Sequence, residues 1–89
     1  MEKYNVDLMN EINVAAYFLA KENHPYDRLC WMLAERRLIY RNKRDDIPGD
    51  LIKADAAANF FSSCEYDVMC WLIAELDILM KYDIYDKKI

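Results

Sequence analysis

Ten residues, YDRLCWMLAE from Tyr26 to Glu35, return forty positions later as YDVMCWLIAE, Tyr66 to Glu75. Tyr, Asp, Cys, Trp, Ala and Glu hold the same six places in both. A fold for this chain has to give that phrase two equivalent settings. On a helix the shared residues form two neighbouring ridges. Tyr26, Cys30 and Ala34 lie at i, i+4 and i+8, as do Tyr66, Cys70 and Ala74. Asp27, Trp31 and Glu35 run beside the first set, and Asp67, Trp71 and Glu75 beside the second. The Tyr–Cys–Ala ridge is small in its middle and at its end, so two helix backbones can approach closely along it. It predicts that the two helices carrying the phrase cross there. A Trp with an acid one turn away on each side is expected at the edge of a core.

Turn residues decide how many helices surround this pair. The chain has one Gly and two Pro in 89 residues, too few for the many turns of an all-β fold. Apolar residues recur at helical spacing from Leu8 to Leu19, predicting a first helix from an Asn5 cap to about Glu22. Asn23-His24-Pro25 interrupts it, and Pro25 suits the first position of a second helix that reaches about Lys43. The clearest break is Asp45 to Asp50, around Pro48-Gly49. Asp50 is then expected to cap a third helix ending near Phe61, and Ser62-x-x-Glu65 to form a capping box for a fourth ending near Tyr82. Before the decapeptides, Ala15-Ala16-Tyr17-Phe18 aligns with Ala57-Ala58-Asn59-Phe60 at an offset of 42. That alignment puts a two-residue difference into the turns. The predicted architecture is all-α: one domain over 1–89, a four-helix bundle of two duplicated αα-hairpins, about 5–44 and about 50–86, with pseudo-two-fold symmetry.

The net charge is −4, which disfavours nucleic acid or an anionic membrane as the main partner. No apolar run approaches the roughly 20 residues of a membrane-spanning helix. The opening residues carry charges throughout and show no signal-peptide core. With an odd count of three cysteines, a cytoplasmic protein with reduced thiols is expected.

Few residues invite chemistry. The repeated carboxylates Asp27, Glu35, Asp67 and Glu75 lack the spacing of a helical metal site, and there is no Glu-x-x-His. Acids at helix starts already have a reason, the helix dipole. The lone His24 has no partner at a recognisable spacing, and no C-x-x-C, Gly-rich phosphate loop or nucleophile elbow occurs. No catalytic residue, metal or cofactor is expected, and no small-molecule ligand. What stands out is asymmetric. The run RRLIYRNKR carries Arg36, Arg37, Tyr40, Arg41, Lys43 and Arg44 without an acid, and its counterpart LDILMKYDI does not. Those residues, Trp31 and Trp71, and the tail tyrosines Tyr82 and Tyr85 are the candidate interaction residues. Leu29 to Ala34 and Met69 to Ala74 are apolar nearly all round, so two helices ask for burial on more than one side. The expected function is a non-catalytic interaction module that self-associates, as a homodimer, or docks on a larger protein. The alternative is a nucleic-acid-related role, through phosphate contacts from 36–44 or through acidic mimicry of nucleic acid.

Overall fold

The computed structural model describes residues 6–44 and 46–82, and these form four helices: α1 (Val6–Lys21), α2 (Tyr26–Asn42), α3 (Gly49–Phe61) and α4 (Tyr66–Lys81). The architecture is the predicted all-α four-helix bundle, and no strand occurs among the described residues. Helix ends fall within a residue or two of the sequence reading except at the start of α4, which comes three residues later than a Ser62 cap implies, and the caps differ. Pro25 is the N-cap of α2 rather than its first residue, and Pro48 is the N-cap of α3, leaving Asp50 in the first turn. The Ser62/Glu65 capping box does not form. Ser62 instead closes α3, its Oγ donating to the Asn59 carbonyl at 2.6 Å, while Glu65 caps α4 without a side-chain bond. Ser62 sits too close behind α3 to turn towards α4. The expected cap at Asn5 lies outside the described residues.

The turns correct the register between α1 and α3. Asn23 and Ser63, forty apart, both take the left-handed conformation, at φ 56° and 58°. Two of the surrounding hydrogen bonds also repeat at forty. Glu22 N–H bonds Leu19 O as Ser62 N–H bonds Asn59 O, and Asn23 N–H bonds Ala20 O as Ser63 N–H bonds Phe60 O. Both turns are four residues long, so neither absorbs a two-residue difference. The offset of 42 is therefore replaced by 40 through the whole segment. At that register Ile12 matches Ile52, both buried, and Ala16 matches Ala56.

The core is built across the two helix pairs. Helix α2 packs on α4, α1 packs on α4, and α3 packs on α2. Among the described residues the backbones of α1 and α2 do not approach each other, nor do those of α3 and α4. The spatial order is thus α1–α4–α2–α3. At the centre Leu29, Cys30 and Leu33 meet Met69, Cys70 and Ile73, all at most 2 % exposed. The Tyr–Cys parts of the two ridges line this crossing, Tyr26 with Cys30 and Tyr66 with Cys70, whereas Ala74 is buried against α1 instead. Ile12 and Ala16 then seat α1 against Ala74 and Ile78 of α4. Each fully buried Leu, Ile or Met here stabilises the fold by roughly 1.5–3 kcal/mol.

Two reciprocal hydrogen bonds pin the turns to the opposite helix pair. Tyr26 Oη–H donates to the Cys64 carbonyl and Tyr66 Oη–H to the His24 carbonyl, both at 2.6 Å. Donors and acceptors are again forty apart. Burial pushes both phenols above their ordinary value, so both stay protonated donors at neutral pH.

Candidate interaction surface

Crossed packing leaves a groove between the first half of α2 and the second half of α3. Its volume is about 450 Å³, and Trp31, Ala56, Ala57, Phe60 and Phe61 line it. Helix α3 presents two consecutive alanines on its wall, so the groove stays open where a larger residue would close it. Phe60 stacks edge-on against Tyr26 at 5.7 Å between ring centres, and Phe61 edge-on against Phe60 at 5.8 Å. Phe61 is nevertheless 82 % exposed, Phe60 49 % and Trp31 38 %. Cys30 lies at its floor, and Asp27 and Lys53 complete the lining with one charge of each sign.

The two tryptophans share a sequence setting but not a role. Trp71 packs beside the Ile12–Ile78 contact and its Nε1–H donates to Asn13 Oδ1 at 2.8 Å. The counterpart of Asn13 on α3 is Lys53, which has no acceptor to offer. Trp31 therefore makes no hydrogen bond among the described residues and faces the groove. Trp31 and Trp71 lie on different helix pairs and do not form one site. Both sit at the core edge, as their flanking acids indicate.

The basic run is partly committed within the fold. Arg36 pairs with Asp77 of α4 through Nε and with Glu35 through Nη1, each at 3.1 Å. Arg37 Nη1–H donates to Asn59 Oδ1 at 3.2 Å. Buried Asn59 also donates to the Cys30 carbonyl at 3.1 Å, so one side chain ties α3 to α2 at two points. Arg44 forms a two-pronged bond to Asp46 at 2.7 and 2.8 Å, and that guanidinium holds the Asp46 carboxyl down at about 2. Arg41 is exposed and has no ion pair among the described residues. Tyr40 is half-buried, while Lys43 is exposed and ends α2 with a left-handed turn. The run is thus spread over several neighbours rather than gathered into one face.

Tyr82 is fastened to the start of the chain. Its hydroxyl donates to Glu11, at 2.8 Å to Oε1 and 3.0 Å to Oε2, and Lys81 reaches Glu11 Oε2 at 3.0 Å. These bonds hold the Glu11 carboxyl below its ordinary value. Tyr85 lies outside the described residues.

The repeated carboxylates stay apart. Asp27 and Asp67 each accept from the next residue's backbone N–H at 3.0 Å, and Glu35 pairs with Arg36. Among the described residues no three His, Cys, Asp or Glu side chains come together as a cation site. The two turns adjoin, yet His24 Nε2 bonds Glu22 at 2.6 Å, and no hydrogen bond joins His24 to Cys64. All three cysteines are free thiols, and burial raises Cys30 and Cys70 above the ordinary thiol value. No helix among the described residues is long and apolar enough to cross a membrane.

Sequence reasoning missed Phe60, Phe61, Lys53 and Asn59. At the corrected register Phe60 and Phe61 stand where the first helix has Ala20 and Lys21, and that mismatch was the available signal. A comparison with known proteins adds no relative: no family model, no curated protein and no solved structure matches the chain.

Proposed function

We propose that the chain is a non-catalytic interaction module whose working surface is the α2–α3 groove, and that its partner there is another protein. The exposure of Phe61, Phe60 and Trp31 around one concave apolar site carries this reading. A buried aromatic contributes about 150–250 Å² of contact, and Trp and Tyr dominate binding hot spots. The unpaired indole N–H of Trp31 gives the groove a directional donor. Asp27 and Lys53 add polar groups of opposite sign.

We read the two helix pairs as copies of one unit, a reading supported by the repeated decapeptide, the matched turns and the reciprocal tyrosine bonds. The groove is then the place where the copies diverged. Two thiols buried in the core fit a reducing, cytoplasmic setting. Contact with nucleic acid through residues 36–44 is the weaker reading, because Arg36, Arg37 and Arg44 already have partners in the chain.

The test is capture from an extract of the producing cell by wild-type protein and by a Phe60→Ser/Phe61→Ser variant of equal helicity. A protein should bind to wild type and to a Tyr17→Ser/Phe18→Ser control on α1, and be lost from the groove variant. An identical bound set for all three would overturn the proposal.

A further inference from the structure

Every packed pair of helices joins opposite sides of the Pro48-Gly49 break. The hydrogen bonds between residues distant in sequence do the same. Tyr26 reaches Cys64, Tyr66 reaches His24, Arg36 reaches Asp77, Trp71 reaches Asn13, and Lys81 and Tyr82 reach Glu11. Within one half, by contrast, the two helix backbones do not approach each other among the described residues. Each half is therefore an open pair of helices whose backbone packing is supplied by the other half. The six residues between Asn42 and Gly49 act as a tether. They keep the halves together, while the contacts that hold the halves in place are made elsewhere.

We propose that a second copy of this chain is a partner, and that two copies associate by exchanging halves. In the dimer α1–α2 of each copy packs against α3–α4 of the other, through the same surfaces that close the monomer. The covered area argues for this occupant. The exchanged interface includes the whole central cluster, Leu29, Cys30 and Leu33 against Met69, Cys70 and Ile73, and both flanking contacts, so it resembles a domain core rather than a surface patch. Complementarity is already present, since the partner surface is the one the chain itself carries. The tether sets the balance. A short flexible linker holds its ends at an effective concentration of order mM, so exchange competes near that concentration or when the tether cannot span the closed form. The closed form needs a reversal at Lys43, which is left-handed at φ 57° with its N–H bonded to Ile39 O. Of the groove aromatics Phe60 belongs to the exchanged interface, since it stacks on Tyr26 across the α2–α3 contact, whereas Phe61 stays 82 % exposed.

Two experiments on the full chain test it. Deleting residues 43–47 leaves Pro48 alone between α2 and α3. Asn42 and Gly49 are then two Cα–Cα steps apart, a reach of at most about 7 Å, whereas packed helix axes lie about 8–10 Å apart. The variant should be a helical dimer of twice the chain mass, and a folded monomer would overturn the proposal. The second experiment keeps the tether intact. Glu11 and Lys81 meet at 3.0 Å across α1 and α4. One chain carrying Glu11→Cys and another carrying Lys81→Cys are refolded together at about 1 mM and treated with a short bismaleimide, whose arm replaces the span of the two lost side chains. A cross-link between position 11 of one chain and position 81 of the other is expected, mapped by mass spectrometry of the digest. Absence of that inter-chain link overturns the exchange whatever the deletion variant does. Adding Phe61→Ser to both chains removes the most exposed groove ring without touching the α2–α3 contact and should leave its yield unchanged. Loss of the link would assign the association to the groove instead.

Discussion

Tyr26 and Tyr66 allow the crossed arrangement to be tested one atom at a time. Replacing Tyr26 with Phe keeps the ring and removes only the hydroxyl that donates to the Cys64 carbonyl at 2.6 Å. Tyr66→Phe removes the matched donor to the His24 carbonyl, also at 2.6 Å. Both bonds sit at the short end of the O–H···O range, and both tyrosines are half-buried. Water can reach part of each abandoned carbonyl, so the loss should be near the net value of one hydrogen bond, about 1 kcal/mol. The bonds share no atoms, so the double variant should lose roughly 2 kcal/mol. In a domain of this size each 1 kcal/mol lowers Tm by about 4–8 °C. Urea unfolding followed by helical circular dichroism would measure the losses, with an unchanged m-value showing that the unfolded state is the same. Equivalent surroundings require the two single losses to agree within roughly 0.5 kcal/mol. A neutral Tyr66→Phe beside a costly Tyr26→Phe, or two neutral substitutions, would refute the reciprocal pinning of the turns.

Two more outcomes follow from the core and the surface charges. Cys70→Phe puts an aromatic ring into the closed centre of the crossing and should destabilise by about 1–3 kcal/mol in the same urea assay, while Cys30→Phe should cost less, because the groove beside it offers room; an unchanged midpoint for Cys70→Phe would take that thiol out of the crossing. Asp46 should titrate near pH 2 by carbon NMR, and Arg44→Ala should raise it part of the way back, since a backbone hydrogen bond also lowers it. Because its folded value is depressed, its contribution to stability is present above the unfolded carboxyl value, about 3.9. That contribution is lost as pH falls through about 2.

The decapeptide made the centre of the fold legible, because six matched residues on a helix fix which ridges face inward. Helix ends were legible for a related reason: Pro25, Pro48 and the lone Gly49 interrupt otherwise continuous helical patterns. The α1–α3 register was not. Alanines are interchangeable in a pattern, and Ala15-Ala16 matches Ala57-Ala58 as well by eye as Ala16 matches Ala56. Only the left-handed turns at Asn23 and Ser63 decide between them. Nor could the basic run be judged from its neighbours in sequence, since Asp77 and Asn59, which engage Arg36 and Arg37, lie 41 and 22 positions away. The groove was hidden for the same reason. Phe60 and Phe61 look like an ordinary apolar helix end until α3 is placed on α2 rather than on α4.

Crossed packing underlies the groove, the reciprocal tyrosines and the exchange, and methyl NOE spectroscopy on dilute protein tests it most directly. Ile12 should show cross-peaks to Ala74 and Ile78 of α4 and none to methyl groups of α2. Strong cross-peaks from Ile12 to Leu33 or Leu38, with none to Ile78, would mean that each half closes on itself, and would contradict the account.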